Sequence, residues 1–379
     1  MGVLNDGAPV ETDRCARLLL SQWCEAGDQA LGARVRERGA HTVVEEALAG
    51  HSPLPASTGI GARVPSGTTY DAAIRRWVEP AWIAAERIGA RYVVPGDLEW
   101  PSQLDDLRDA APLGLWLAGA GDLRLLALRS ISVVGARSAT AYGEGIAREL
   151  GAHLAESDWL TVSGGAFGID AAAHRGVLAV NGATACVLAG GVDVPYPRSH
   201  ADLLARIRDS GVLISEAPLG GAAMRHRFLT RNRLIAALSR GSVLVEAALR
   251  SGGRSTVREA RALNRVVMAF PGPVTSPMSA GCHAVIRDEA VQLVTSPREV
   301  LALVEGRLTS DDQGCADDED LGWRERRVLD AVPARRPAPL VSIARLAGLG
   351  LAEAMTALGT LDALGLVQRA GEGWARRAA

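Results

Sequence analysis

Short apolar runs rich in β-branched residues alternate with helical patterns through the middle of the chain, between residues 131 and 304. Six runs have the length of buried strands: 132–134, 160–162, 185–188, 212–214, 243–245 and 266–269. Strands that alternate with helices are typical of a parallel sheet covered by helices on both faces. The pattern therefore predicts the α/β class, with a doubly wound, mostly parallel sheet.

Each predicted strand is followed by a loop of small residues. The loops read G-A-R-S, S-G-G-A-F-G, A-G-G-V-D, S-E-A-P-L-G-G, E-A-A-L-R-S-G-G and F-P-G-P. Ligands of doubly wound sheets bind at the carboxyl ends of the strands, where glycine lets backbone amides approach an anion. We therefore expect the six loops to form one continuous polar rim.

Helical patterns flank this region. An alanine-rich helical pattern covers about 11–50, and turn-forming residues fill 52–69. A predicted strand at 91–94 is followed by Trp100-Pro101, which leads to the apolar run 115–117. The predicted domains are a helical module of SAM or helix-hairpin-helix type with its linker at 1–70, an extended Rossmann-like domain at 71–304, an acidic flexible linker at 305–320 and a winged-helix-like domain at 321–379.

The predicted tail consists of three amphipathic helices at 323–331, 341–346 and 351–364, followed by a hairpin within 367–374. Winged-helix domains often read duplex DNA through their third helix. The third helix here, L-A-E-A-M-T-A-L-G-T-L-D-A-L, contains no Lys or Arg. A protein-binding or structural role is therefore favoured over duplex readout, and a transcription factor led by this tail is the weaker alternative.

Composition limits the classes of partner. The net charge is −2, so any nucleic-acid binding must depend on a local patch. None of the 41 basic residues is lysine, so each phosphate contact would come from an arginine fork. The chain has no run of about 18 apolar residues and no basic-then-apolar leader, which predicts a cytoplasmic protein with no membrane partner. The 5 cysteines are scattered without a C-x-x-C pair, which argues against a disulfide framework or a zinc site.

The segment 224–239 reads M-R-H-R-F-L-T-R-N-R-L-I-A-A-L-S and places four arginines and an aromatic residue before an apolar helix. On a helix, Arg225, Phe228, Arg231 and Asn232 are three or four residues apart and can share one face. Cations that hold phosphates and an aromatic ring that stacks on a base are what a single-strand groove requires. A solvated, arginine-rich helix start is the alternative.

Motifs for catalysis or cofactor binding are incomplete. The G-A-R-S turn lacks the G-x-G-x-x-G spacing of dinucleotide sites, and S-G-G-A-F-G-I-D is not followed by the Gly-Lys-Ser/Thr of a nucleotide-phosphate loop. Asp170 and His174 lie four residues apart on a predicted helix, and a hydrogen-bonded core pair is favoured over a metal or acid–base site. Ser163 and Ser215 lack a G-x-S-x-G elbow. We therefore predict no cofactor, no metal and no catalytic residue.

Taken in order, these segments resemble the DNA-processing protein A (DprA/Smf) family. The resemblance covers about 131–304 and includes S-G-G-A-F-G-I-D-A-A-A-H, V-L-A-G-G-V-D-V-P-Y-P, F-L-T-R-N-R-L-I-A-A-L-S, V-L-V-E-A-A-L-R-S-G and G-C-H-A-V-I. The family binds incoming single-stranded DNA and loads the RecA recombinase during natural transformation. The resemblance implies a non-catalytic protein that binds single-stranded DNA, meets RecA and forms a homodimer, with residues 281–304 contributing to the partner contacts.

The resemblance also implies the residues that bind DNA. Phosphates would be held by arginines of the first loop, the R-N-R segment and the later Gly-rich loop, Phe228 would stack on a base, and three glycines would bring backbone amides close to the strand. The complete predicted set is Arg137, Gly164, Gly165, Gly168, Arg225, Arg227, Phe228, Arg231, Asn232, Arg233, Arg250, Ser251, Gly252 and Arg254.

The chain departs from the family pattern at three places. Gly253-Arg254-Ser255 replaces a more apolar run, His283 stands where Asn is usual, and Asp288-Glu289-Ala290 replaces a Gly-Ala turn. Arg254 is expected to add a phosphate contact, while the other two changes affect the expected loop geometry.

An enzyme class remains as the alternative. Rossmann-like nucleoside-monophosphate phosphoribohydrolases, also described as lysine-decarboxylase-like, need a P-G-G-x-G-T-x-x-E motif. This chain offers S-G-G-R-S-T-V-R-E at 251–259, with Glu259 as the candidate catalytic acid. The alternative leaves the R-N-R segment without a role, so single-stranded DNA binding is favoured.

Overall fold

The computed structural model describes residues 9–51, 54, 67–288, 291–307, 321–333, 337–371 and 373–377. The chain divides into two units, Met1–Glu305 and Gly306–Ala379. The predicted linker at 305–320 lies outside the described residues beyond residue 307, as does most of the turn-rich stretch at 52–69.

Nine strands in the described part of the first unit form one sheet. They are β1 Ala90–Val93, β2 Leu115–Ala118, β3 Ser130–Val134, β4 Leu160–Ser163, β5 Thr184–Val187, β6 Val212–Ser215, β7 Gly241–Leu244, β8 Val266–Ala269 and β9 Gln292–Leu293. The order across the sheet is β1-β2-β6-β5-β4-β3-β7-β8-β9. Neighbouring strands pair in parallel from β6 across the sheet to β9. The β1–β2 and β2–β6 pairs are antiparallel. The predicted doubly wound, mostly parallel α/β sheet is confirmed.

The strand order reverses direction at β3. From β3 the chain builds outward through β4, β5 and β6, and it then returns to place β7 on the other side of β3. Loops at the carboxyl ends of β3 and β7 therefore leave the sheet toward opposite faces and open a crevice between them. Such a switch point is the usual ligand site of doubly wound sheets.

Helices cover both faces of this sheet. Before β1 the chain forms α1 Pro9–Trp23, α2 Gln29–Arg38, α3 Ala40–Leu48, α4 Tyr70–Ala73, a π-helical segment Ile74–Val78 and α5 Glu79–Ile88. The remaining helices of the unit are α6 Leu123–Ala127, α7 Ala141–Glu156, α8 Ile169–Ala179, α9 Ala201–Ser210, α10 Arg225–Thr230, α11 Asn232–Leu238, α12 Gly253–Ala262, α13 Ala280–Asp288 and α14 Pro297–Val304. Short 3-10 segments lie at Ser102–Ala110 and Arg198–His200.

Alternation along β3 shows how the sheet builds two cores. Ile131 and Val133 pack on one face with residues of α7 and α8, whereas Val134 packs on the other face with residues of α11 and α12. All residues of β3 are buried, as expected for a central strand with helices on both sides. The two layers hold β3 rigidly, and with it the loop that follows.

The N-terminal helices share a core with the sheet. Leu18 and Trp23 of α1 belong to the same buried cluster as Trp116 of β2 and Leu213 of β6. The helical pattern predicted at about 11–50 is present, and its apolar face is buried against the β1–β2 side of the sheet.

The second unit contains α15 Trp323–Ala331, α16 Leu340–Ala347, α17 Leu351–Ala363 and the hairpin β10 Val367–Ala370 with β11 Gly373–Arg376. Val328, Ile343, Leu358 and Val367 form its buried core. Three helices followed by a hairpin match the predicted winged-helix-like arrangement. No single helix among the described residues is long and apolar enough to cross a membrane, and one sharply bent pair, α16 with α17, meets the length and composition criteria together.

The four cysteines in the described part of the chain are buried free thiols: Cys15, Cys24, Cys186 and Cys282. Burial raises the pKa of Cys186 to about 12, so its thiol stays protonated and unreactive. The fifth, Cys315, lies outside the described residues.

Candidate nucleic-acid interface

A cavity of about 550 Å³ opens at the carboxyl ends of β3 and β7. We call it the switch-point cavity. Its lining consists of Val134, Gly135, Ala136, Arg137, Ser138, Ala166, Asp170, Arg225, Phe228, Leu229, Arg231, Asn232, Ala248, Arg250, Ser251, Gly252, Gly253, Thr256 and Met278. The charged side chains in this lining are four arginines and one aspartate, so the cavity is cationic although the whole chain is slightly acidic.

Hydrogen bonds fasten the two loops that form the cavity mouth. Ala136 N donates to Glu246 O over 2.7 Å, and the buried Glu246 carboxylate accepts from Thr140 N and Thr140 Oγ1, each over 2.8 Å. Thr140 also caps the N-terminus of α7. Both ends of the loop after β3 are therefore fixed to the carboxyl end of β7. The exposed Arg137 lies between these two anchored ends, so its backbone is held rigidly.

Arg231 lies at the inner wall of the cavity, at the break between α10 and α11. Its side chain is 8% exposed, its Nη2 donates to Gly164 O over 3.3 Å, and Nη2 lies 3.9 Å from Asp170 Oδ2. The Nε of Arg231 is buried and has no hydrogen-bond partner. Burial lowers the pKa of Arg231, and Asp170 opposes this shift. The guanidinium is therefore desolvated and only partly compensated, which favours an incoming anion.

Asp170 is the one carboxylate that lines the cavity among the described residues. It accepts from Gly164 N and Ala166 N, and burial raises the pKa of its carboxyl group against the opposing effect of Arg231. His174 points elsewhere, because its Nδ1 bonds Thr184 Oγ1 over 2.8 Å. The two residues are hydrogen-bonded in the core but not to each other, and the described residues contain no metal-binding cluster of His, Cys, Asp and Glu.

Phe228 forms one side of the cavity with its ring half-buried. The guanidinium carbon of Arg137 lies 4.8 Å from the centre of the Phe228 ring, and the Tyr196 ring lies 5.3 Å away. Arg137 and Phe228, both members of the predicted binding set, therefore lie in contact. The contact of Tyr196 with Phe228 was not predictable from the sequence, because no spacing rule links the loop after β5 to α10.

Eight members of the predicted binding set line the cavity together: Arg137, Arg225, Phe228, Arg231, Asn232, Arg250, Ser251 and Gly252. They come from the loop after β3, from α10 and α11, and from the loop after β7. Asn232 is oriented within the wall, where its Nδ2 donates to Ser255 Oγ over 3.2 Å. The structure therefore brings these eight residues together around one cavity.

Arg227 and Arg233, two members of the predicted binding set, do not line the cavity. Arg227 pairs with Glu25 through two 3.0 Å contacts, and Arg233 pairs with Glu216 at 2.5 and 2.7 Å. The reason is helical geometry, since a step of two residues turns a side chain by about 200°. Arg227 therefore faces away from Arg225, and both buried arginines serve the packing of the N-terminal helices and β6.

The three predicted glycines lie behind the cavity wall rather than in its lining. A Cβ on Gly164 would lie 1.7 Å from Arg231 Nη1, so glycine is required for the guanidinium to fit. Gly168 has φ +71°, and a Cβ there would lie 2.3 Å from Ala136 O. Gly165 has φ +65° and faces Cys186. These glycines shape the wall, and the Gly164 amide is already bonded to Asp170.

Several other predicted positions have internal partners. Arg254 lies outside the lining, and its Nη1 donates to Leu249 O over 2.7 Å. His283 bonds Gly272 O through Nε2 over 3.0 Å, while Glu289 and Ala290 lie outside the described residues. Glu259 of the enzyme alternative lies on α12 and does not line the cavity.

The serines considered as nucleophiles are structural in this fold. Ser163 Oγ donates to Val133 O over 2.6 Å, and Ser215 Oγ donates to Gly190 O over 2.7 Å. Both are buried. Neither hydroxyl therefore faces a space that could hold a substrate.

Comparisons with known proteins agree on one family. Residues 91–305 match the family model described as DNA recombination-mediator protein A. A relative from Mycobacterium tuberculosis strain H37Rv whose name assigns it to DprA is 47% identical over 296 residues, which cover 74% of this chain and 76% of the relative. Protein Smf of Escherichia coli K12 is 41% identical over 212 residues, covering 55% of this chain and 56% of that protein.

Solved structures match in fold. The DNA processing protein A of Streptococcus pneumoniae superposes with a TM-score of 0.61 at 29% identity, over 77% of this chain and 97% of that one. The Helicobacter pylori protein of the same name, whose structure describes a single-stranded DNA binding mode, has a TM-score of 0.51 at 24% identity, over 57% of this chain and 96% of that one. At that identity the second match shows a shared fold.

Proposed function

The chain belongs to the DNA recombination-mediator protein A family, and from this premise we propose that it binds single-stranded DNA in the switch-point cavity. The observation that carries the proposal is the Arg231 guanidinium, which is buried at the inner wall of the cavity with Nε unpartnered and one carboxylate 3.9 Å away. A backbone phosphate supplies the anionic oxygens that this group lacks.

The other lining residues fit the same ligand. Arg137, Arg225 and Arg250 are exposed at the mouth, where they neutralise phosphates and release counterions. Phe228 stacks on a base, an interaction worth about 1–3 kcal/mol that tolerates any base sequence. A duplex hides its base faces, so the combination of deep arginine and side-wall aromatic selects a single strand.

The role in the cell follows from the family. We propose that the protein protects incoming single-stranded DNA and loads the RecA recombinase onto it, in natural transformation or homologous recombination. Binding is non-catalytic, and the protein acts as a homodimer in which residues 281–304, with α13 and α14, contribute to partner contacts. Sedimentation analysis tests the dimer, and RecA filament formation on coated DNA tests the loading.

The test of DNA binding is fluorescence anisotropy with a labelled oligonucleotide over a salt series, with unlabelled duplex as competitor. Wild-type protein should bind single strands with a steep salt dependence. Replacing Arg137 and Arg250 by Ala should lower the slope of log affinity against log salt by about 1.4, at about 0.7 per lost phosphate contact. Arg231→Gln should reduce affinity further.

Arg124→Ala serves as the matched control, because Arg124 is an exposed arginine on α6, at the amino end of β3 and hence at the opposite edge of the sheet. Its loss should leave affinity and slope unchanged. Absence of binding at low salt, or binding indifferent to Arg137, Arg250 and Arg231, would contradict the proposal and direct attention to nucleoside-monophosphate hydrolysis with Glu259→Gln as the test variant.

A further inference from the structure

Exposed aromatic rings of the first unit are confined to one edge of the sheet. In the described part of that unit, the largely exposed Phe, Tyr and Trp side chains are Tyr142, Phe167 and Tyr196, at 43%, 49% and 46% exposure. Tyr142 lies in the first turn of α7, Phe167 in the loop after β4 and Tyr196 in the loop after β5. The chain has only 3 Phe and 4 Tyr, so this placement at the carboxyl edge is a marked concentration.

Two of these rings continue the wall of the switch-point cavity. Tyr196 packs on Phe228 with ring centres 5.3 Å apart, and Phe228 carries Arg137 4.8 Å from its ring centre. Phe167 follows the lining residue Ala166 directly. The cavity therefore does not end at Phe228 but opens onto further aromatic surface.

His200 fixes the loops after β4 and β5 to each other. Its Nδ1 bonds Gly165 O at 3.1 Å, and its ring contacts Phe167 edge-on at 4.6 Å between centres. Tyr196 lies four residues before His200 in the same loop. His200 therefore links the loops that carry Phe167 and Tyr196, and we call Phe167, Tyr196 and Phe228 together the aromatic shelf.

We propose that the aromatic shelf is a second base-stacking subsite, on which unpaired bases of the same DNA strand stack after the strand leaves the switch-point cavity. The inference rests on the proposed function, and it adds a course for the strand, from the switch-point cavity over Phe228 to the loop after β5 and then to the loop after β4. Tyr196 takes the base next to that on Phe228, and Phe167 takes a base beyond it.

Charge fits an unpaired nucleic acid as the occupant of the aromatic shelf. Exposed arginines flank the rings, with Arg198 two residues after Tyr196 and Arg225 three residues before Phe228. Rings that alternate with cations suit a strand in which bases alternate with phosphates.

The experiment compares oligothymidines of about 5 and about 20 nucleotides, since sites of this kind span roughly 4–16 nucleotides. Full-length Tyr196→Ala and Phe167→Ala proteins are titrated by anisotropy. Each variant should lose between about 5-fold and about 100-fold affinity for the long strand, and should lose less for the short strand, which carries fewer bases beyond the one on Phe228. The salt slope should not change, because no cation is removed.

Three controls separate stacking from other effects. Tyr196→Phe keeps a ring and should bind like wild type. Tyr142→Ala removes a ring of similar exposure at the same edge of the sheet, and the hydroxyl of Tyr142 donates to Pro271 O. Because Tyr142 is not part of the aromatic shelf, this change should leave the affinity for both strands unchanged. A long strand with abasic sites keeps its phosphates but lacks bases that can stack. Tyr196→Ala and wild type should bind this strand with equal affinity.

Two kinds of failure remain distinguishable. If wild type binds the long strand and Arg231→Gln weakens it, but Tyr196→Ala and Phe167→Ala bind it fully, the shelf is overturned and the proposed function survives. If wild type binds neither strand, the proposed function itself fails. Phe167→Ala uncovers His200, and a lower melting temperature of this variant would complicate its affinity. Phe167→Leu keeps the apolar contact with His200 but has no planar ring. This second variant must also lose affinity for the long strand.

Discussion

The Arg231 guanidinium is buried and still lacks a hydrogen-bond partner for one of its nitrogens. Folding removes its guanidinium from water, yet provides one carbonyl at 3.3 Å, one carboxylate oxygen at 3.9 Å and no partner for Nε. An isolated buried charge is costly, so Asp170 is essential to the unliganded protein even though it repels phosphate. Under the proposed function, the cavity is a compromise between stability without DNA and affinity for it.

The first prediction concerns Asp170→Asn. Removing the carboxylate leaves Arg231 buried without its counter-charge, so the free energy of unfolding should fall by about 3 kcal/mol. Phosphate then meets less repulsion, so single-stranded DNA should bind more tightly than to wild type. Chemical denaturation and anisotropy measure the two effects. Asp193→Asn is the control, because Asp193 is exposed and accepts from Gly220 N, and its loss should cost less than about 1 kcal/mol.

A second prediction at this scale concerns pH. Burial lowers the pKa of His174 to about 3, with Arg231, His200 and Arg175 adding to the effect, so the folded protein holds this imidazole neutral. Below the ordinary His pKa, the imidazole of the unfolded chain binds a proton, whereas His174 in the folded chain stays neutral. The free energy of unfolding therefore falls as pH falls, by up to about 1.4 kcal/mol per pH unit. Denaturation at about pH 7 and about pH 5 measures this slope. His174→Gln should have a slope smaller by about one proton, and an unchanged slope would contradict the assignment.

At the scale of elements, the α10–α11 segment determines which arginines line the switch-point cavity. The sequence showed the cluster of cations and its aromatic residue, and helical spacing correctly grouped Arg225, Phe228 and Arg231. It could not show that Arg227 and Arg233 face the opposite way, because their partners Glu25 and Glu216 come from distant segments. Buried ion pairs between remote elements leave no signal in local spacing.

The Glu25 pair gives a third prediction. Burial opposes ionisation of Glu25, but hydrogen bonds from Arg227 and His226 prevail and lower the pKa of its carboxyl group. Glu25→Gln should therefore destabilise the protein by about 2 kcal/mol at neutral pH, and this difference should shrink as pH falls through the carboxyl pKa in the folded protein. Because the pair holds α10, the affinity for single-stranded DNA should also drop.

A double-mutant cycle with Arg227→Gln checks that third prediction. If the pair acts as a unit, the double variant should be more stable than the sum of the two single losses implies. Additive losses would show that Glu25 and Arg227 act separately and would remove the link between the N-terminal helices and α10.

For the whole molecule, alternation of apolar runs was sufficient to predict six central strands and the sheet class. Central strands are fully buried, so their sequences are continuous apolar runs and are easy to recognise. The antiparallel pairing of β1, β2 and β6 was not predictable in this way, since it depends on where the N-terminal helices pack. The strand order that creates the switch point also follows from long-range pairing, so the sequence located the loops but not which two form the cavity.

The division into two units gives the last prediction. Every residue that lines the switch-point cavity lies between Val134 and Met278, inside the unit Met1–Glu305, and the second unit has its own core. A chain ending at Glu305 should therefore bind single-stranded DNA with the affinity and salt slope of the full protein, within about 2-fold. Residues 321–379 alone should not bind duplex DNA tightly, because α17 carries no Lys or Arg. Anisotropy with single-stranded and with duplex DNA measures the two affinities. A large loss of affinity for single-stranded DNA in the shortened chain would assign part of the DNA site to the tail.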